Sequence, residues 1–357
     1  MAIISRRDLI VAASAGRLLA QEPTSFPAQN TSVPLSGIEG DTTPTEKFFI
    51  RDHFREPAVS MSGWRLQIEG RVSRPLELAF ADILESPVKD IQAVLECAGN
   101  PTTGAAAANA VWRGVPLAAI LERAGAAPDA VAVMLEGADS GRLFPESPDM
   151  KYCQVVPFEK CMQPESLLAF KVNGRFLARS NGFPVRALFP GWYAMDSVKW
   201  LQRIVVLGLS DRAEDFQRSG MNRLYNRNTK TAAGDVQVSR LTDIQVRSAI
   251  AWPPENARLP RGRYIVRGFA WTGSGVIRKV AFSADAGRSW GPAQLESQPK
   301  PFTWVRWNYT WSATPGDHIL MSRAADSAGR EQALARDPSR KDGYELNYCV
   351  PVPCTVR

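Results

Sequence analysis

The sequence predicts an α+β domain followed by an all-β sandwich domain, and three observations predict it. Residues 46–208 mix alternating strand-like runs with a helix-spaced stretch, and residues 236–357 hold only short alternating runs parted by turns. A polar segment, 209–235, rich in Arg, Asn and Asp, connects the two. At ~150 residues per domain, the chain has room for about two domains.

Within the first region, Trp64-Arg65-Leu66-Gln67-Ile68-Glu69 alternates like a strand with one buried face. Leu117 to Ala124 has helical spacing and runs into Gly125, a natural stop. Val131 to Leu135 and Leu201 to Leu207 are apolar enough for buried strands. In the second region Tyr264–Trp271, Val276–Ala284 with its Asp285-Ala286-Gly287 turn, Thr303–Trp307 and His318–Met321 follow one another as an antiparallel sandwich requires. Trp304, Trp307, Tyr309 and Trp311 read as its core. Residues 21–45, rich in Pro, Thr and Ser, read as an extended lead-in.

Composition removes several function classes. Apolar residues make up 45% and charged residues 22%, ordinary for a globular protein with a substantial core. No run approaches the ~18 consecutive apolar residues of a membrane span, so no stable span is expected. The net charge is +7, but Arg and Lys are scattered rather than clustered, which argues against nucleic acid. A positive field does help gather a small anion. His53 and His318 are the two histidines, too few for a His-rich zinc site. No C-x-x-C-H or C-x-x-C pattern occurs, so the chain carries no haem attachment signal.

Ser5-Arg6-Arg7-Asp8-Leu9-Ile10, an apolar stretch and Leu18-Leu19-Ala20 before Gln21 form a twin-arginine-type signal over residues 1–20. That route carries proteins already folded, and it implies a periplasmic location. An oxidising compartment permits disulfides. Cys153 with Cys161, and Cys349 with Cys354, are spaced so that each pair could bridge or remain buried free thiols. Cys97 is left over, and an odd cysteine in an exported protein marks a reactive or metal-bound thiol.

Cys97 sits in Leu95-Glu96-Cys97-Ala98-Gly99-Asn100-Pro101, where an apolar strand enters a loop of small residues. Small neighbours allow a bulky group to approach the sulfur, and a thiolate is a strong ligand for soft transition metals. Alone, such a cysteine reads as core.

Its surroundings reverse that reading. The run around Cys97 resembles the molybdenum-cysteine motif of the sulfite oxidase family. Phe48-Phe49-Ile50-Arg51-Asp52-His53, Trp112-Arg113-Gly114-Val115-Pro116-Leu117, and Asn181-Gly182-Phe183-Pro184-Val185-Arg186 with Pro190-Gly191 and Val198-Lys199-Trp200-Leu201 resemble further family segments, in the family's order. Ser248-Ala249-Ile250 through Gly268-Phe269-Ala270-Trp271 and Ser289-Trp290 resemble its C-terminal dimerisation domain. The resemblance covers roughly residues 46 to 357.

The resemblance implies a molybdopterin-binding domain over 46–208 and an immunoglobulin-like dimerisation domain over 236–357. It implies molybdenum–molybdopterin as cofactor, with Cys97 as the metal ligand. Arg51, His53, Asp139, Asn181, Arg186, Ser197 and Lys199 match its cofactor-binding positions; Asn181 stands where many relatives have histidine. An amide still donates and accepts. Cys97 and Arg51, with Tyr225, are the catalytic candidates. Two positions depart from the family. An arginine that helps hold sulfite is here Thr102, and a tyrosine near the metal aligns with Met221, with Tyr225 four residues on.

The implied activity is oxygen-atom transfer to or from a small sulfur compound, sulfite by resemblance. The Thr102 and Met221 departures keep open a carrier-bound sulfur or an S-oxide. Electrons would leave to an external acceptor such as a cytochrome c, and the chain would form a homodimer. Two rivals come from other classes: an exported non-catalytic binding protein, and a cysteine hydrolase using Cys97 with His53 or His318.

Overall fold

The computed structural model describes residues 25–211 and 221–357; the signal-type segment 1–20 lies outside them. The first region is α+β and contains two five-strand assemblies. One sheet runs in the order Met150–Pro157, Ala130–Gly141, Leu201–Gly208, Arg65–Gly70, Leu76–Ala79. Its one parallel pairing joins Leu201–Gly208 to Arg65–Gly70. The alternation in Arg65–Gly70 sends Leu66 and Ile68 into the core and their neighbours outward.

The other sheet runs Arg175–Phe176, Leu167–Val172, Ala107–Pro116, Lys89–Glu96, with Arg186–Leu188 also paired to Leu167–Val172. Lys89–Glu96 and Ala107–Pro116 form an antiparallel pair in which Glu96 faces Ala107. Cys97 therefore begins the loop at the end of that pair. The helix Leu117–Ala124 buries Leu117, Ile120, Leu121 and Ala124 on one face. It ends at Gly125, whose φ of 68° is strained for any residue with a Cβ.

The C-terminal region is mostly β. One sheet orders Arg247–Trp252, Gly262–Trp271, Val305–Ala313 and Gln294–Leu295. A second orders Ala257–Leu259, Val352–Val356, Gly316–Asp326, Ile277–Ser283 and Gly291–Pro292. Val266, Trp307 and Trp311 from the first share an apolar cluster with Val280, Phe282, Leu320 and Cys354 from the second. Trp304, Trp307 and Trp311 are buried and Tyr309 is half-buried.

From residue 221 onward the segment between the regions is more ordered than its polarity suggests. Asn226–Lys230 pairs with Val236–Arg240 as a hairpin. The lead-in is extended but stitched down: Asn30–Thr31 pairs with Ile50–Arg51, Val33 N–H donates to Ala105 O at 3.0 Å, and Trp304 donates to Asp41 O at 2.8 Å. All five cysteines are free, so neither spaced pair is bridged. Among the described residues no helix is long and apolar enough to cross a membrane.

An apolar cluster joins the two regions. Val94, Ala98 and Ala107 from beside the Cys97 loop meet Ala249, Phe269, Trp271 and Trp304 from the C-terminal sheet, with Leu35 and Ile38 of the lead-in. The loop carrying Cys97 thus lies against the second region.

Candidate functional site

A cavity of about 320 Å³ lies beside this junction. Arg51, His53, Cys97, Asp139, Asn181, Arg186, Ser197, Lys199 and Tyr225 all line it, so the catalytic and cofactor candidates that the resemblance implies converge on one space.

Around Cys97 the wall is aromatic. The Cys97 N–H donates to Ala106 O at 3.0 Å, and Cys97 O accepts from Asn100 N–H at 2.9 Å. These bonds fix the turn that presents the thiol. Burial pushes the thiol up, while the Gly99 backbone N–H and the nearby Arg51 guanidinium pull it down. A Cβ added at Gly99 would rest 3.9 Å from Cys97 Sγ and 3.8 Å from the ring of Tyr344, so glycine leaves the sulfur's flank open. Arg51 stands near the thiol. Its guanidinium is aimed by Thr31 O at 2.5 Å, Ile50 O at 2.9 Å and Ser32 Oγ at 2.8 Å.

His53 and Tyr225 form a neutral pair. Burial lowers the His53 pKa and raises that of Tyr225 well above its usual value. At neutral pH an uncharged imidazole therefore faces a protonated phenol, with Tyr225 Oη 2.6 Å from His53 Nε2. Tyr152 packs against the imidazole, centroids 5.4 Å apart, and donates to Met195 O at 2.9 Å. Tyr344 closes the group, its ring 5.7 Å from that of Tyr225.

A second cluster is built from charges. Arg186 is 5% exposed, and its guanidinium donates to Asn181 O at 3.1 Å and Ser197 O at 2.8 Å. Burial lowers its pKa to about 10. Among the described residues it has no carboxylate partner. Lys199 is ion-paired with Asp52, donates to Ser180 O at 3.0 Å and lies 4.2 Å over the Trp200 ring. Ser197 Oγ accepts from Phe189 N–H at 3.1 Å. Asp139 is buried, its Oδ1 meets no partner, and burial raises its pKa to about 7. Gly182, at φ 101°, brings Asn181 close to this group; a Cβ there would lie 3.0 Å from Lys199 Cβ and 3.2 Å from Arg186 Cβ.

These features fit a large anionic, hydrogen-bonding group. A buried guanidinium bonded only to carbonyls keeps donor capacity for a phosphate. A buried carboxylate oxygen without a donor calls for an N–H from a ligand. A thiol with one open flank and a cation beside it suits a soft metal. The fit is to a phosphate-bearing pterin that carries a metal.

Comparison with known proteins agrees. Residues 53–213 match the oxidoreductase molybdopterin binding domain, and residues 239–335 match the Mo-co oxidoreductase dimerisation domain. The sulfite oxidase of Gallus gallus is 30% identical over 317 residues, covering 80% of this chain and 67% of that protein. The chain belongs to the sulfite oxidase family. Members of this family bind molybdopterin, and this chain is a molybdopterin-dependent oxidoreductase. A nitrate reductase [NADH] of Solanum lycopersicum is 29% identical, over 78% of this chain but 35% of its own length. The crystal structure of the sulfane dehydrogenase SoxCD from Paracoccus pantotrophus superposes with a TM-score of 0.78 at 28% identity, over 93% of this chain and 85% of that one.

The departures from the sulfite oxidase pattern have distinct fates. Met221 is fully buried in the core of the first region, away from the cavity lining, and Tyr225 lines the cavity instead. Thr102 does not line it, and its carbonyl accepts from Arg247 at 2.9 Å. Sequence reading missed Asp52, Tyr152, Trp200 and Tyr344. Asp52 was within reach, because it separates Arg51 from His53. Tyr344 lies in a tail segment without periodicity and carried no signal.

Proposed function

We propose that this enzyme is a periplasmic molybdenum oxidoreductase that transfers an oxygen atom to or from a small sulfur compound. In this reading Cys97 holds the metal. Arg186, Lys199, Asn181 and Ser197 hold the phosphate side, and Asp139, His53 and Arg51 hold the pterin and metal side. When bound, the cofactor supplies the two-electron redox chemistry. The protein's residues bind and orient the substrate. Arg51, already fixed by three partners, presents its guanidinium beside the sulfur of Cys97 and would orient an oxygen-bearing substrate. Tyr225, protonated and bonded to His53, keeps a proton at Oη within the cavity. The rings of Tyr152 and Tyr344 exclude water from the same wall.

The observation that carries this reading is the convergence of the catalytic and cofactor candidates on one cavity. Domain limits of 46–208 for cofactor binding and 236–357 for an immunoglobulin-like dimerisation domain, a homodimer, and transfer of electrons to an external acceptor such as a cytochrome c belong to the same proposal. Thr102 favours a particular substrate. An uncharged, shorter side chain in place of an arginine leaves Arg51, among the described residues, as the cation that acts on the Cys97 thiol. That supports a sulfur atom on an organic carrier, or an S-oxide, over free sulfite.

The test is steady-state reduction of an artificial acceptor by the cofactor-loaded enzyme, with sulfite and with an alkyl persulfide. A sulfoxide with a reduced dye probes the reverse direction. We expect the organic sulfur compound to turn over faster than sulfite. A fully molybdenum-loaded enzyme inert toward all three would overturn the proposal.

A further inference from the structure

The loop that carries Cys97 is held from outside its own domain. Glu96, next to the cysteine, is 3% exposed, and both of its carboxylate oxygens are engaged. Oε1 accepts from Asn100 Nδ2 at 2.8 Å and from Arg247 Nη1 at 3.2 Å, and Oε2 accepts from Trp271 Nε1 at 2.7 Å. Arg247 and Trp271 belong to neighbouring strands of the C-terminal region, Arg247–Trp252 and Gly262–Trp271, where they stand opposite each other. Arg247 is 2% exposed and also donates to Pro101 O at 2.5 Å and Thr102 O at 2.9 Å. Its guanidinium lies 5.6 Å from the Trp271 ring centroid. The two ends of the turn, Glu96 and Thr102, are thus tied to one side chain of the other region.

Around this pair the junction is apolar, formed by Val94, Ala98, Ala249, Phe269 and Trp304. Adhesion between the regions needs no ions there, because a buried ion pair costs desolvation that apolar residues of equal volume avoid. What the pair adds is direction. A forked donor bonded to one carboxylate and two carbonyls accepts one arrangement of the turn, whereas apolar packing tolerates several.

We propose that Glu96 and Arg247 are positioning residues that set where Cys97 Sγ stands, making the C-terminal region a working part of the metal site. This rests on the reading of Cys97 as the metal ligand.

The experiment uses full-length, cofactor-loaded protein and the variants Cys97→Ser, Glu96→Gln, Arg247→Met, Trp271→Phe and the double variant Glu96→Gln/Arg247→Met. Three quantities are read: molybdenum per chain, the visible thiolate-to-metal charge-transfer absorption, and the unfolding midpoint. Cys97→Ser abolishes the band. Trp271→Phe, which removes one bond and leaves the charges paired, shifts the band with little change in midpoint. The double variant recovers the unfolding midpoint that either single charge variant loses, yet keeps a shifted band and about tenfold weaker metal retention. A wild-type band and metal content in both Trp271→Phe and the double variant would overturn the positioning role. A band that survives Cys97→Ser would overturn the ligand assignment instead, so the two failures are distinguishable.

Discussion

Around Arg186 the cavity wall is a set of buried charged and polar side chains locked to backbone, whereas around Cys97 it is a ring of phenols with one guanidinium. The first cluster is drawn mainly from residues 139–199, close to one set of strands, and most of its polar atoms are already satisfied by carbonyls or by Asp52. The second gathers Arg51, Cys97, Tyr225 and Tyr344 from four separate stretches, one of them in the C-terminal tail. A fixed scaffold suits a cofactor of constant shape. A wall assembled from independent segments can change its chemistry without disturbing that scaffold.

The largest effect is expected in the charged cluster. Arg186→Met removes the buried guanidinium without leaving a charge, and molybdenum per chain should fall by about 10–100-fold while the fold persists. Metal analysis beside circular dichroism checks both. In the aromatic cluster Arg51→Met should lower molybdenum per chain less than Arg186→Met does and raise KM by about tenfold or more, the range of a lost charged hydrogen bond. If Arg51→Met instead empties the site, the division between the clusters fails.

Asp139 sharpens the comparison through pH. Its folded pKa of about 7 lies above the ordinary carboxylate value. Between those values the folded chain keeps a proton that the unfolded chain has released. Its contribution to the stability of cofactor-free protein is therefore present at acid pH and is lost as pH rises toward about 7. The slope approaches ~1.4 kcal/mol per pH unit at most. Asp139→Asn should flatten that slope in denaturant midpoints measured from pH 5 to 8. Ligand N–H donors favour the carboxylate, so cofactor loading should strengthen over the same rise.

Smaller effects belong to the phenols. Tyr225→Phe removes the hydroxyl bonded to His53 and should lower kcat by about tenfold, the cost of one such interaction at the transition state. Tyr344→Phe keeps the ring that lies against Gly99 and should change kcat/KM by no more than about threefold, the value of one solvent-competed hydrogen bond. Steady-state kinetics with the best sulfur substrate ranks the pair.

Local pattern was enough for many elements. The alternation of 64–69, the helix ending at Gly125 and the β character after residue 236 each follow from neighbours within a few positions, because strand and helix periods are local properties. The cavity-lining residues were legible for a similar reason: most sit in short runs whose order and spacing carry the resemblance. Sequence alone thus determined an α+β region followed by a mostly β one, the family and its cofactor.

Tertiary structure decided what depends on distant segments meeting. It placed Tyr225 rather than Met221 at the cavity, where a four-residue difference in a linker decides which side chain faces inward. It brought Tyr344 across more than two hundred residues to stand beside Cys97. It gave Arg247, an ordinary strand residue in the sequence, a carboxylate and two carbonyls at the base of the loop that carries Cys97. Such contacts are set by the packing of one region on the other, which no local period encodes.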